Sequence, residues 1–410
     1  MSEVVESIRQ VAKNDFYWTT MGEIADVIGG GTPRTSDAQN FEGGDIPWIT
    51  PADLSGYTQK FISSGNRHIT RKGIGSSSAR MLPAGAVLFT SRAPIGYVAI
   101  AKNPIATNQG FKSFVLKEGV LPEYVYWWLK GSKQRAESLA SGTTFLEISG
   151  ANAKKLPIPM VSLARQHEIV AEIEKQFSRL DEAVANLQRV KANLKRYKDS
   201  VYAEVFGNKP NCTLGDLIDE GPQNGLYLPK EMYGEGVPIL RIDDYQTAWI
   251  RPLVELRRVK ATQDQIATWA LREDDLVVNR VNSMTHLGKC ALVPASLAGT
   301  VFESNMMRMR LKTEVSPKYV EHYLSSRLGK TRLTENAKWA VNQASINQKD
   351  VRATPIFIPD LFTQQQIVAD IDRRLSIIKG TEVEVQANIK RAQALRQSTL
   401  SKAFVGDKRS

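Results

Sequence analysis

Apolar positions repeat every seven residues along two stretches of this chain. From Leu163 to Phe206 there is no glycine or proline, and apolar residues fall at Ile173, Leu180, Leu187, Leu194 and Val201. A second seam runs through Gln176, Ala183, Val190 and Tyr197, widened by Phe177 and Val184. Such heptads predict a long helix whose apolar stripe packs on another helix. A matching stripe follows at Ile371, Ile378, Val385 and Ala392, with Leu375, Ile389 and Leu395 beside it and one interruption at Gly380. Pro157 and Pro159, then Pro355 and Pro359, are expected to mark the helix starts, and Gly207 and Gly406 lie just past the ends. Around the stripes the pattern changes. Short apolar runs bounded by glycine and proline predict strands at 86–91, 97–101, 275–280 and 289–293. Helical spacing returns at 123–132 and 318–327.

These elements recur in order. LPIPMVSLARQHEIVAEIE (156–174) and TPIFIPDLFTQQQIVADID (354–372) align without a gap at an offset of 198 residues. WTTMGEIADVIGGGTP (18–33) is echoed by CTLGDLIDEGPQNG (212–225), and GGDIPWITPADL (43–54) by GEGVPILRIDDY (234–245). Residues 82–101 are echoed by 271–293, and LPEYVYWWL (121–129) by SPKYVEHYL (316–324). Preserved order implies duplication of one α+β (mixed α/β) globular part followed by a long helix. A helix of about 42 residues spans about 63 Å, too long to bury on one such domain. The simplest arrangement pairs the two helices as an antiparallel coiled coil with pseudo-two-fold symmetry. The expected division is an N-terminal extension at 1–15, globular parts at 16–158 and 208–356, helices at 159–207 and 357–406, and a tail at 407–410.

A chain of 410 residues is too long for one ordinary core, in keeping with two units. Its net charge of +11 argues for a polyanionic partner, not for a fold. Cys212 and Cys290 cannot build a disulfide framework and are expected to be ordinary buried thiols. The N-terminus, MSEVVESIRQ, lacks the apolar core of a signal peptide, and no run approaches membrane-spanning length. A cytoplasmic location is the expectation.

Catalytic patterns fail one by one. Gly329-Lys330-Thr331 ends like a phosphate-binding loop, but position 324 is leucine. Asn103-Pro104-Ile105-Ala106 lacks the second proline and the aromatic residue of an amino-methyltransferase loop. Gly29-Gly30-Gly31 fails the dinucleotide fingerprint at Arg34. His68, His167, His286 and His322 are scattered, and no serine stands in a G-x-S-x-G elbow. The acid pairs Asp243-Asp244 and Asp274-Asp275 read as strand flanks. No catalytic residue, metal site or cofactor site is therefore expected in this chain. What remains are polar loop residues of the kind that meet phosphates and base edges. In the first half these are Thr32, Arg34, Arg92, Asn108, Gln109, Thr143 and Thr144. In the second they are Gln223, Asn224, Arg241, Asn279, Arg280, Asn282, Asn305, Asn342 and Gln343.

With these residues in place, the chain resembles the specificity subunit of type I restriction-modification systems. The recurring pieces are Trp18 to Ile24, Gly44 to Ile49, Ser91 to Gly96 (SRAPIG), Thr107 to Gly110 (TNQG) and Leu156 to Pro159 (LPIP). The family's E-Q-x-x-I-V stands here as Arg165-Gln166-His167-Glu168-Ile169-Val170. The second half departs from the pattern: Trp48 is answered by Leu240, and Thr107-Asn108 by Glu303-Ser304-Asn305. The resemblance implies two target recognition domains, each binding half of a split, asymmetric double-stranded DNA site. It implies paired helices that act as a ruler and dock two DNA adenine methyltransferase subunits, with restriction/translocase subunits joining. S-adenosylmethionine, ATP and magnesium would then belong to those partners. A protein-binding coiled-coil adaptor stays open as a second class, separable by gel shift with a random duplex pool. A stand-alone modification enzyme is a third, separable by assaying methyl transfer by the chain alone. Basic residues gather in 189–198 and at Lys390, Arg391, Arg396 and Lys402. They read first as solvated helix faces and second as contacts to phosphate or an acidic partner.

Overall fold

The computed structural model describes residues 16–142, 146–246, 249–283, 285–340 and 343–404. It divides into two compact units. Unit 1 holds the residues up to Leu187 together with those from Ala387 on; unit 2 is Gln188–Gln386. Each unit thus contains its globular part, the first stretch of the helix that follows it, and the last stretch of the other long helix. No helix among the described residues is long and apolar enough to cross a membrane.

In unit 1 the strands Ala25–Gly29, Lys112–Leu116, Val87–Phe89, Val98–Ala101 and Phe61–Ile62 form one sheet in that order. A second sheet sets Ile46–Ile49 between Arg67–Ile69, antiparallel, and Ala106–Thr107, parallel. Unit 2 repeats the plan. Ile218–Asn224, Met306–Leu311, Leu276–Asn279 and Cys290–Leu292 form its larger sheet. Tyr233–Leu240 lies between Arg258–Val259, antiparallel, and Val301–Phe302, parallel.

The central strands are apolar throughout because both of their faces are covered. Val87, Phe89, Val98 and Ile100 pack with the helix Pro122–Lys130. The alternate residues Leu88, Ala99 and Ala101 pack with Ile49, Leu82 and Phe111 in a separate core. In unit 2, Leu276, Val278 and Cys290 face the helix Pro317–Ser325, while Val277 and Ala291 face Leu240 and Phe302. Period-two alternation sends each strand into two cores, which is why these runs lack the polar alternation of a half-exposed strand.

The ladders fix residue equivalence, and they correct the sequence alignment. Ile49 pairs with Thr107, and Leu240 pairs with Phe302. Leu240 is therefore the counterpart of Ile49, and Trp48 is answered by Ile239. The Asn108 amide donates to Ile49 O at 2.9 Å, and the Glu303 amide to Leu240 O at 3.0 Å. Asn108 thus corresponds to Glu303 alone, and Gly110 to Asn305. A string alignment cannot see a ladder, and these short runs slip by a residue without losing similarity.

The proline-rich entries to the long helices are strands, not helix starts. Pro157–Met160 pairs with Tyr17–Thr20, and Pro355–Ile356 with Cys212–Thr213. The helices then run Leu163–Phe206 and Leu361–Ala403, the second passing Gly380 unbroken. A glutamine one turn in explains part of the shared sequence. Gln166 Oε1 accepts from Leu121 N at 2.8 Å, and its Nε2 donates to Gly119 O and Val161 O. Gln364 Oε1 accepts from Ser316 N at 2.8 Å, and its Nε2 donates to Pro359 O. Each glutamine locks a helix start to the loop before its domain's packing helix.

Within unit 2 the helices run antiparallel, with Lys191 donating to Gln386 and Arg374 to Glu204 at 3.0 Å. Within unit 1, Arg396 bonds Asp181 and lies over the Phe177 ring at 4.2 Å. Ile173, Val201, Ile371, Ile378 and Val385 are buried, and Leu180, Leu187, Leu194, Ile389 and Ala392 are half-buried. The second seam is not filled: Ala183, Val190, Tyr197 and Leu395 are exposed. Two helices bury only one stripe between them, and no other part of the described chain covers that flank. At the ends the stripes merge into the domain cores. Phe404 meets Tyr124 and Trp128 with ring centroids 5.1 and 5.2 Å away, and Phe206 meets Tyr319 and Tyr323 at 5.3 and 5.4 Å. Cys290 is buried and Cys212 half-buried, both as free thiols.

Candidate nucleic-acid interface

In unit 1 the triple glycine passes directly against the loop that follows Ala106–Thr107. A Cβ placed on Gly30 would fall 1.9 Å from the Asn108 carbonyl oxygen, so only glycine fits. The Gly31 amide donates to Thr107 O at 2.9 Å, and Trp48 Nε1 donates to Gly31 O at 3.0 Å. This close approach puts Thr32 beside Gln109, to which its hydroxyl is hydrogen-bonded. Asn108 Oδ1 accepts from Gly110 N at 2.9 Å and holds the turn. The Ser91 amide donates to Gly110 O at 2.7 Å, which brings the next residue, Arg92, to the same edge. Arg92 Nη1 lies 3.2 Å from Glu147, which also faces Lys112 at 3.6 Å. Arg34 is exposed, and its carbonyl accepts from the buried Asn40 side chain at 3.0 Å. Thr32, Asn108, Gln109 and Arg92 are therefore brought together. Thr143 and Thr144 lie outside the described residues.

Unit 2 builds the same edge with other groups. A Cβ on Gly225 would fall 2.1 Å from Glu303 O. Arg241 Nε donates to Glu303 Oε2 at 2.9 Å, and Ile242 N to Oε1 at 2.7 Å. Partial burial works against the Arg241 charge, but the Glu303 carboxylate outweighs it and raises the guanidinium above its ordinary pKa. The Arg280 amide donates to Asn305 O at 2.9 Å, and its guanidinium to Ser304 O at 3.2 Å. Asn224 is exposed, and its carbonyl accepts from Trp269 Nε1. Asn282 Oδ1 accepts from Ser283 N, and Gln343 is exposed on the hairpin Lys338–Ala340 and Gln343–Ser345. That hairpin pairs with Val281–Asn282.

Two candidates are corrected and one lies outside the description. Asn279 is fully buried: its Oδ1 accepts from Tyr245 OH and its Nδ2 donates to His286 O. It fastens the core and presents nothing outward. Gln223 is spent on Arg308, which bonds its Oε1, and on Thr268 O at 3.3 Å. Arg308 is itself buried, shared among Gln223, Glu220 and Asp275. Burial draws its pKa down, and Arg310 alongside adds to that. Asn342 lies outside the described residues.

Sequence reasoning missed four residues on these edges. Glu147 and Glu303 lack the signature of phosphate donors, although carboxylates also accept from cytosine amino groups. Tyr227 and Trp339 are aromatic and lack the signature of polar loop residues. Gly225 N donates to Met306 O and Leu226 N to Phe302 O, as Gly30 N and Gly31 N do to Phe111 O and Thr107 O. Tyr227 is thus the counterpart of Thr32. The sequence signal was the residue two places beyond the aligned QNG string.

The family model described as type I restriction modification DNA specificity domain matches residues 15–196 and again 210–390. The MjaIX specificity subunit of Methanocaldococcus jannaschii is 40% identical over 188 residues, covering 45% of this chain and 41% of that protein. The StySPI specificity subunit of Salmonella potsdam is 24% identical over 307 residues, 70% of this chain and 66% of that protein. The chain thus spans less than two thirds of either relative's length. Among solved structures, a chain from a study of assembly and conformational transition in a type I restriction-modification system superposes with a TM-score of 0.77 at 20% identity, covering 97% of this chain and 99% of that one. The HsdS subunit of Thermoanaerobacter tengcongensis gives 0.60 at 19% identity, over 96% and 97% of the two chains. These two likenesses establish the fold.

Proposed function

The chain belongs to the type I restriction modification DNA specificity family, and we propose that it is the non-catalytic, sequence-reading subunit of a type I restriction-modification complex. Each unit reads one half of a split, asymmetric duplex site. One observation carries this reading: the two units share their central strand pairings and the cores those strands feed, yet their equivalent loops carry different polar groups. Asn108 is answered by Glu303, Gly110 by Asn305 and Thr32 by Tyr227. A scaffold used twice with different donors and acceptors at its edge suits two different base sequences. The net charge of +11 supplies sequence-independent attraction to phosphate.

Methyl transfer and ATP-driven cleavage are assigned to partners: two DNA adenine methyltransferase subunits and restriction/translocase subunits. S-adenosylmethionine, ATP and magnesium would bind there. The long helices, about 66 Å for the 44 residues of the first, are proposed to set the gap between half-sites and to dock the methyltransferases. Methylome sequencing of a host with and without this chain tests the whole reading, because it reports both half-sites and the gap. Removing one heptad from each helix, about 10 Å, should shorten the gap by about three base pairs. An unchanged gap would sink the ruler, and an unchanged methylome would sink the recognition role.

A further inference from the structure

We propose that Tyr227 and Trp339 make unit 2 a base-stacking reader, holding an unstacked base or opened base step through their ring faces. This rests on the DNA-reading role proposed above and names the contact that unit 2 makes through these two residues. Tyr227 is 78% exposed and Trp339 72% exposed. Both stand on the candidate edge. Tyr227 follows Leu226, which forms a parallel bridge with Glu303. Two residues on, Asn305 O accepts from Arg280 N at 2.9 Å and from Val281 N at 3.4 Å. Val281–Asn282 then pairs with the inner strand of the hairpin whose outer strand carries Trp339. The two rings are thus tied by successive hydrogen-bonded strands to one row of polar groups: Glu303, Asn305, Arg280 and Asn282.

Among the described residues, the two counterparts in unit 1 have no rings. Thr32 stands where Tyr227 does. Ser141 bridges Glu147 as Lys338 pairs with Ser345, so Gly142 stands where Trp339 does. Every base has a π-face, so stacking adds affinity with little sequence bias, while the polar row reads the freed edge. Apolar wedges of this kind open base steps in duplexes. Large rings left in water beside hydrogen-bonding groups are what such a wedge requires before DNA arrives.

The test uses the complex reconstituted with its methyltransferase subunits and a duplex carrying the site defined by methylome sequencing. 2-Aminopurine is placed at each position of both half-sites in turn. Apart from the target adenines, which the methyltransferase subunits extrude in both half-sites, binding should raise fluorescence at a further position, beside the opened step, in one half-site only. Trp339→Ala and Tyr227→Thr should each abolish that rise and weaken binding about 5- to 100-fold. Trp339→Phe should retain most of the affinity. The slope of log affinity against log salt should stay unchanged, since no phosphate contact is lost. If wild-type complex methylates its site while both substitutions bind within about twofold of it and no position other than the target adenines brightens, stacking is overturned and DNA reading stands. A changed salt slope or a lowered unfolding midpoint in Trp339→Ala overturns it as well. If no duplex is bound specifically, both readings fall together.

Discussion

Unit 1 and unit 2 solve one packing problem with the same parts and then part company at equivalent positions. Phe404 seals the first core against Tyr124 and Trp128, as Phe206 seals the second against Tyr319 and Tyr323. Beside these seals, Trp127 Nε1 donates to Glu174 at 3.4 Å in unit 1, and His322 Nε2 lies 2.9 Å from Asp372 in unit 2. On the sheet, Ser113 has an unpartnered buried hydroxyl where Arg308 binds two carboxylates and an amide. The difference teaches that burial is kept and chemistry is exchanged. Apolar seals keep a buried ring at each place even where its size changes, as where Trp128 is answered by Tyr323, whereas a polar site needs only some consistent set of partners.

The largest effects should be equal in the two units. Phe404→Ala and Phe206→Ala are each expected to cost about 3–5 kcal/mol, read by hydrogen exchange resolved by unit. Phe404→Ala should loosen unit 1 although the residue lies near the chain's end. A loss confined to one of the two would break the equivalence of the seals.

The next effect should be unequal. Arg308→Ala leaves Gln223 Oε1 without its donor and removes a buried side chain, while Arg310 still holds Glu220 and Asp275; it is expected to destabilise unit 2 by about 2 kcal/mol. Ser113→Ala removes an unsatisfied hydroxyl and should change unit 1 by less than about 0.5 kcal/mol. Similar costs in urea melts would show that the Arg308 network is not what distinguishes the sheets. At the glycine crossings the effect is intermediate. Gly30→Ala and Gly225→Ala should each cost about 1–3 kcal/mol through overpacking. Each should also degrade recognition of its own half-site in methylome sequencing; loss of both half-sites from one substitution would contradict separate reading.

The smallest effect is a pH dependence that unit 2 has and unit 1 lacks. Burial lowers the pKa of His322, while Asp372 works in the opposite direction. The unfolded chain therefore takes up a proton more readily than the folded one. Stability from this residue is complete above the ordinary histidine pKa of about 6.5 and declines as pH falls below it. The slope is at most about 1.4 kcal/mol per pH unit. Trp127 has no proton to gain at this place. Unit-resolved hydrogen exchange from pH 7.5 down to about 5.5 should show unit 2 loosening first, and His322→Gln should flatten the difference. A unit 2 that tightens on acidification would reverse the sign and refute the assignment.

Much of this was legible in the residues. The heptads from Ile173 and Ile371 predict long helices, and helices run there. The ordered echoes predict duplication, and the central strand pairings recur. Loop context points to Thr32, Asn108, Gln109 and Arg92, and they share one edge. Less legible is the register: string similarity sets Trp48 against Leu240, and the ladder answers it with Ile239. Asn279 reads as a loop donor, but it ends a strand whose surroundings bury it. Tyr227 and Trp339 carried no polar signature, and only their exposure beside the candidate edge singles them out.

The sequence by itself determined the periodicities and the duplication, because these depend on neighbours a few residues away or on whole-segment similarity. The tertiary structure alone decided which residue answers which, which polar groups are consumed inside, and which helix end closes which core. Those outcomes depend on ladder register and on groups far apart in the chain, and a shift of one residue reverses the face that every side chain presents.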